Sequence, residues 1–588
     1  MMRARTFRSI ILCLATVAAA AGAALTSPRR APVPPSPRQL AAEVLGEPDV
    51  RISAASTNSR VFTDAAPELG LVFHHDNDAR GAYRLPEEMG PGAGLLDADG
   101  DGDLDVFIAG GGPLTGDRPA RPCRLFRRDP AGYVDVTEMS GAGVPGPAYG
   151  VACADYDDDG DVDIYLTRLG RNALLRNRGD GTFEEVAAAV GVDDDGFGAS
   201  CVFIDHDRDG DLDLYVANYV GWAEERESPC YTILGERDYC NPLVYESPLA
   251  DVLYRNRGDG TFEDVSMASG IGHAKGNGLG VIASDFDDDG WIDLYVANDQ
   301  TPAFLWRNRG DGTFENVATH WGCAYDGRGI AIAGMGVASE DLDGDGRFDL
   351  LVTNIHGQTN LVLRNDAGTF EDVSLAMGLG VWSIPATAFG VALFDQDHDG
   401  NLDAYFANGD VNVDNPMPAG DNRYAQPDQF ARLENGRLVD ATAASGVTFA
   451  DVGRGVAAGD LDDDGDVDLL LTNNGGPVRL LRNEQAGSDR WLKVSARTGP
   501  GRRHAIGARL RLRVGGRVFT REVRPQQSYL CSGDPRVHFG LGDAVSPISL
   551  EIRWPDGRFS QHEDLTSNTH VTVIQDDAGG ASGREATP

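Results

Sequence analysis

Residues 285–298 read DFDDDGWIDLYVAN: aspartates at alternating positions, one glycine, a fourth aspartate, then an apolar stretch rich in β-formers. The nine-residue pattern behind it, D-x-D-x-D-G-x-x-D, occurs seven times in the 588 residues, starting at Asp97, Asp155, Asp205, Asp285, Asp341, Asp395 and Asp460. Successive starts lie about 50 to 80 residues apart, so one supersecondary unit repeats, with insertions in the third and sixth intervals. The flanks repeat too. Small and apolar residues precede each loop (GVACA before Asp155, GVIAS before Asp285), and L-x-R-N-R-G-D-G-T-F-E-x-V follows at 174–186, 253–265 and 305–317.

The apolar runs are too short for helices, and G-D-G is turn chemistry between strands. Each unit therefore reads as strand, aspartate loop, strand, connector, strand, turn, strand: a four-stranded blade. The F-x-D-V phase that ends a unit recurs at Phe62, Tyr133, Phe183, Phe262, Phe314, Phe370 and Leu438. The first copy precedes the first loop, while the last loop runs out at 480–483 without one. In a closed ring the strand near Phe62 completes the last blade and removes an open sheet edge. The expectation is an all-β chain: a seven-bladed β-propeller over 61–487, then a separate β-sandwich-like domain over 488–575. The latter is read from alternating segments such as WLKVSA, ARLRLRV and ISLEIRW, which lack aspartate loops.

The ends read differently. Arg3, Arg5 and Arg8, an apolar run from Ile10 to about Ala20 and small residues to Ala24 have the layout of a cleaved export signal, assigned to 1–24. A proline-containing lead-in over 25–60 and a Gly, Ala and Asp-rich tail over 576–588 are expected to be disordered. No second hydrophobic stretch offers a membrane span. Export places the chain outside the cytoplasm of a bacterium, secreted, periplasmic or on the cell surface, and permits disulfides. Cys230 and Cys240, close together in a loop-like stretch, are the disulfide candidate. Cys123, Cys153, Cys201, Cys323 and Cys531 read as buried apolar residues.

A formal charge of −40, with only Lys275 and Lys493 as lysines, repels nucleic acid and invites cations. No basic face is evident to set against it. Calcium wants six to eight oxygens. Each loop offers carboxylates at positions 1, 3, 5 and 9: Asp97, Asp99, Asp101 and Asp105; Asp155, Asp157, Asp159 and Asp163; Asp205, Asp207, Asp209 and Asp213; Asp285, Asp287, Asp289 and Asp293; Asp341, Asp343, Asp345 and Asp349; Asp395, Asp397, Asp399 and Asp403; Asp460, Asp462, Asp464 and Asp468. Backbone carbonyls at position 7 (Asp103, Asp161, Asp211, Trp291, Arg347, Asn401, Asp466) add a ligand, and Gly at 6 allows the sharp turn. An EF-hand loop would end in Glu at position 12, where these copies carry apolar residues inside a strand. Carboxylates packed this closely repel unless a cation neutralises them, so Ca²⁺ is expected, up to one ion per blade, in a structural role.

The repeat G-V-x-x-x-D-x-D-x-D-G-x-x-D-L-Y-V-x-N with L-x-R-N-x-G-D-G-T-F resembles the FG-GAP/VCBS repeats of integrin α-subunit propellers and their bacterial relatives. IGARLRLRVGG, TREVRPQQSYLCSGDPRVHFGLGD and EIRWPDG resemble the ASPIC/UnbV domain, with Ile506, Gly507, Ala508, Arg521, Tyr529, His538, Phe539, Gly540, Leu541, Gly542, Trp554 and Pro555 as landmarks. The pairing resembles the cartilage acidic protein family over roughly 61–575. That resemblance implies an extracellular calcium-binding propeller with adhesive contacts to carbohydrate or protein, and no settled biochemical activity. No EGF-like module is evident.

The usual catalytic motifs are missing, and the histidines do not cluster. A monomeric binding module for an extracellular glycan or protein is favoured over an enzyme. The runner-up is a calcium-dependent, lyase-like enzyme acting on polysaccharide, for which no base is recognisable. Three Arg-Gly-Asp triplets, at 178–180, 257–259 and 309–311, fall in the repeating turn and are read as turn residues rather than attachment motifs. The ligand rim is placed at the insertions, since loops on a rigid scaffold carry function. Tyr219, Trp222, Tyr231, Tyr239 and Tyr245 surround the cysteine pair in the first, and the second, 409–428, is expected beside it.

Overall fold

A computed structural model describes residues 61–116, 118–484, 490–544, 547–575 and 584–587. The expected export signal, the lead-in and residues 576–583 of the tail lie outside the described residues.

Each aspartate loop leads from an inner strand to the second strand of an antiparallel sheet. The blade of the second loop shows the plan: Ala148–Ala154, Asp163–Arg168, Ala173–Asn177 and Phe183–Glu185, paired in that order. The inner strands are Ala93–Leu96, Ala148–Ala154, Gly198–Ile204, Gly278–Ser284, Val337–Glu340, Ala388–Phe394 and Gly453–Gly459. They pack against one another in chain order, and the last packs on the first. That crowding explains the small residues before each loop. A Cβ on Gly150 would stand 2.1 Å from the Ala199 carbonyl of the next sheet, and one on Gly336 2.1 Å from that of Phe389. The circuit closes as the repeat phase requires: Phe62–Asp64 pairs antiparallel with Arg479–Asn483, the third strand of the last sheet.

The C-terminal residues form two sheets over one core that includes Leu492, Leu510, Phe539, Leu550, Ile552 and Val571. One sheet pairs Arg517–Glu522, Arg509–Val514, Ile548–Arg553 and Phe559–Leu565; the other is built on Arg490–Thr498, Val537–Gly542 and His570–Ile574. Arg584–Thr587, in the tail expected to lack structure, pairs with His570–Ile574, whose free edge gives it a hydrogen-bonding partner.

This domain has its own core and is also joined closely to the propeller, the described residues from 61 onward forming one compact unit. The reason is a finger, residues 525–533, that enters the propeller axis. Gln526–Gln527 pairs with Cys531–Ser532, and Ser532 adds alongside Gly94 of the first inner strand. The Val337 and Val151 amides donate to the Ser528 and Leu530 carbonyls at 3.0 Å each. The Val391 amide donates to Ser528 Oγ at 3.0 Å, and the Leu530 amide donates to Ser200 Oγ at 3.1 Å. The finger thus satisfies inner-strand groups that a bare axis would leave to water. Among the described residues no helix is long and apolar enough to cross a membrane.

Candidate metal centres and ligand pocket

The loops share one hydrogen-bond plan. The position-9 aspartate uses both oxygens on backbone amides. Asp293 Oδ2 accepts from Phe286 N at 3.1 Å and Oδ1 from Asn308 N at 2.8 Å, and Asp163 and Asp468 do the same in their loops. The position-1 carboxylate accepts from the Gly amide at position 6, as Asp155 Oδ2 does from Gly160 N at 2.9 Å. The position-5 carboxylate accepts from the position-7 amide, as Asp289 does from Trp291 N at 2.9 Å.

What remains points at a cation. Asp205, Asp285, Asp395 and Asp460 Oδ1 at position 1, and Asp99, Asp157 and Asp462 Oδ1 at position 3, are buried without a hydrogen-bond partner. Triads such as Asp97–Asp99–Asp101, Asp155–Asp157–Asp163 and Asp285–Asp287–Asp289 bring oxygens within 4.8 Å of one another. Burial pushes the carboxyls of Asp105, Asp155, Asp205, Asp349 and Asp395 up to about 7, and that of Asp403 to about 8. A dication among them would offset that cost. At positions 1, 3, 5, 7 and 9 the donors are all oxygen, and their hardness fits Ca²⁺, while in the third loop His206 also lies against Asp213.

Nothing in the sequence hinted at the partners of these loops. Lys493 Nζ lies 2.6 Å from Asp460 Oδ2 and Arg553 Nη2 2.6 Å from Asp285 Oδ2, the oxygens that also take the glycine amides. Arg503 pairs with Asp158, Arg509 with Asp288 and Arg536 with Asp463, while Arg517 donates to the Asp399 carbonyl at 2.7 Å. The chain does therefore have a basic face. It was hidden from a reading of net charge because it belongs to the C-terminal domain and is turned onto the aspartate loops.

A second feature unforeseen in sequence is an asparagine staple. The Asn of L-x-R-N donates its side-chain amide to the loop of the preceding blade: Asn177 to Ala98 O at 2.9 Å, and Asn256 to Tyr156 O, Asn308 to His206 O and Asn365 to Phe286 O at 2.8 Å each. Its recurrence in the repeat was the available signal. The aspartates of the three Arg-Gly-Asp triplets cap their own turns, each Oδ1 accepting from the Thr amide two residues on at 3.0 Å.

The insertions lie at the other end of the inner strands. Cys230 and Cys240 are joined by a disulfide, and the other five described cysteines are buried and free. The two insertions touch: Val413 N donates to Asp238 Oδ2 at 2.9 Å, Tyr424 Oη to Asp238 Oδ1 at 3.1 Å, and Arg423 pairs with Glu236. Of the rim candidates, Tyr219 and Tyr239 line a pocket of about 70 Å³ together with Glu88, Asp299, Phe389 and the finger residue Tyr529. Trp222 Nε1 and Tyr245 Oη instead donate to Glu227, at 2.6 and 2.7 Å, and Tyr231 faces solvent. Those three shape the insertion rather than the pocket. Glu88, Asp299, Phe389 and Tyr529 escaped the sequence reading because they come from four distant segments.

An FG-GAP-like repeat model matches residues 97–166, 155–216, 243–296, 285–352 and 341–406, and an ASPIC and UnbV model matches 498–580. Human cartilage acidic protein 1 is 29% identical over 506 residues, 80% of this chain and 70% of that protein. Its Xenopus tropicalis counterpart is 28% identical over 509 residues, 80% of this chain and 71% of that protein. A solved Agrocybe aegerita lectin superposes on 67% of this chain and 94% of its own, with a TM-score of 0.38 and 18% identity, too distant to bear on function.

Proposed function

The chain is an FG-GAP-repeat protein that ends in an ASPIC and UnbV domain, and from that premise we propose that it is an exported, calcium-loaded recognition module for an extracellular glycan or protein. Export rests on the layout of residues 1–24. Calcium rests on the orphaned inner oxygens of the loops. The residues that would hold each ion are the aspartates at positions 1, 3, 5 and 9, with the position-7 carbonyl. The ion supplies positive charge that lets these carboxylates stay ionised together, which makes its role structural.

The observation that carries the recognition reading is the convergence at one pole. Two insertions, a disulfide, packed tyrosines and the finger tip meet around a pocket. Tyr239 packs on Tyr83 and Tyr424 with ring centres 5.3 and 5.5 Å apart, so the aromatic rim is held in place before any ligand arrives. The matched families are those of a repeat protein, and the internal engagement of the C-terminal domain's basic face supports this pole as the ligand surface.

The test is a binding screen of the calcium-loaded protein on arrays of extracellular glycans and matrix proteins, repeated with residues 223–243 deleted. Loss of binding with retained thermal unfolding supports the reading. Unchanged binding would remove the pole from consideration.

A further inference from the structure

The pocket at the insertion-bearing pole carries an unbalanced polarity. Asp299 is 7% exposed; its Oδ2 accepts from Tyr219 Oη at 2.7 Å, while Oδ1 is buried with no hydrogen-bond partner. Glu88 Oε1, on the same wall, is likewise buried and unpartnered. A buried carboxylate oxygen left unpaired is costly, and both residues line this one pocket.

Arg454 attracts the Glu88 carboxyl by its charge but gives its hydrogen bonds to carbonyls. Arg454 donates from Nε to the Glu88 carbonyl at 2.7 Å and from Nη1 to the Gly409 and Gly453 carbonyls at 3.0 and 2.8 Å, with its guanidinium 3.8 Å from the Phe389 ring centre. The remaining walls include Tyr219, Tyr239 and Tyr529. A hard divalent ion would need six to eight oxygens, which this wall does not offer. An ammonium group suits it: three N–H donors meet the orphaned oxygens, and its charge meets aromatic faces. The narrow volume of about 70 Å³ admits the end of an alkyl chain rather than a sugar ring. The chain's charge of −40 draws cations towards it.

We infer that this pocket receives a lysine side chain of a protein partner, with Asp299 and Glu88 taking the ammonium group and the tyrosines enclosing its stem. The inference rests on the reading of this pole as the ligand face.

The test titrates the full-length, calcium-loaded protein calorimetrically with three probes: Nα-acetyl-lysine methylamide, its neutral norleucine counterpart, and glucosamine. The lysine probe is expected to bind, with the norleucine probe and glucosamine each weaker by roughly tenfold or more, the factor that losing a hydrogen bond to a charged group produces. Asp299→Asn keeps an acceptor for Tyr219 and is expected to weaken the lysine probe by a similar factor. Glu88→Gln is the second variant, so that a folding failure in one leaves the other. Equal binding of the lysine and norleucine probes, preference for glucosamine, no measurable lysine binding, or indifference to both variants overturns the inference. If any of these occurs while deletion of 223–243 still abolishes binding of an array-selected ligand, the recognition reading stands and only the lysine assignment falls.

Discussion

At the scale of single residues, the Asn staple and the position-9 aspartate do more than the repeat pattern suggested. Asn308 donates to His206 O in the neighbouring blade and to Ile292 O at 3.2 Å, and accepts from Gly310 N at 2.9 Å. Replacing it with Ala removes the donor to the buried His206 carbonyl and to the half-buried one of Ile292. The expected cost is about 1–3 kcal/mol, read as a lower urea midpoint at unchanged slope. A shift too small to measure would mean the blades do not depend on the staple. A second residue-scale case concerns pH. His356 Nδ1 lies 3.1 Å from Asp410 Oδ1, and hydrogen bonding to that carboxylate raises the imidazole above its usual value, with Asp414 adding attraction and Thr387 completing the contact. A raised folded-state value means the stabilisation is fully present below about 6.5, the unfolded value, and is lost as pH rises through the folded one. The stability gap between the wild type and His356→Gln is therefore expected to be larger near pH 6 than near pH 8. A gap that widens towards pH 8 contradicts it.

The element that repeats is the loop, and its aspartates divide the work. Asp287, at position 3, takes Arg307 against Oδ2 at 2.6 Å and a single, long backbone bond, from Asp289 N to Oδ1 at 3.3 Å, which an Asn oxygen can also accept. Asp293, at position 9, holds two backbone amides whether or not an ion is bound. Asp287→Asn is expected to remove about one bound Ca²⁺ per chain while costing little once chelator is present, because the ion carried its contribution. Asp293→Asn is expected to remain destabilised in chelator, since an amide nitrogen turned towards a backbone N–H cannot accept from it. Metal analysis with thermal unfolding, each in calcium and in chelator, separates the two. Identical behaviour of the variants in chelator would refute the division.

Over the whole molecule, two devices keep the ring closed: pairing of Phe62–Asp64 with the last blade, and the finger that fills the axis. The finger tip is conformationally demanding, with Ser528 at φ 78° and Leu530 at φ 61°, values held by the inner strands around it. A chain ended after residue 484 is expected to lose cooperative unfolding and bind ANS, because the axis groups and the loop carboxylates lose their partners together. Retention of a sharp transition in that truncation would show that the propeller stands alone. Calcium should act on the same scale. Excess chelator is expected to lower the thermal midpoint of the intact protein by many degrees, with several Ca²⁺ per chain found beforehand; no bound metal and no shift would end the calcium reading.

How much of this was legible follows from where the information lies along the chain. The aspartate loop, the strand after it and the phase offset at Phe62 are local or periodic, so counting repeats was enough to reach the all-β propeller and its closure. The glycines of the inner strands, read only as small residues, owe their identity to a neighbouring blade at 2.1 Å, which no spacing records. The rim reading located the insertions; of its five aromatics Tyr219 and Tyr239 line the pocket, while Trp222 and Tyr245 turn to Glu227 and Tyr231 to solvent. The sequence by itself determined the repeat, the fold class, the candidate metal ligands and the two families. Only the tertiary structure decided that Tyr529 travels through the axis to line one pocket with Glu88 and Asp299, and that the arginines of the C-terminal domain lie on the aspartate loops. Those contacts join segments hundreds of residues apart, and their energy exists only once the ring has closed around the finger.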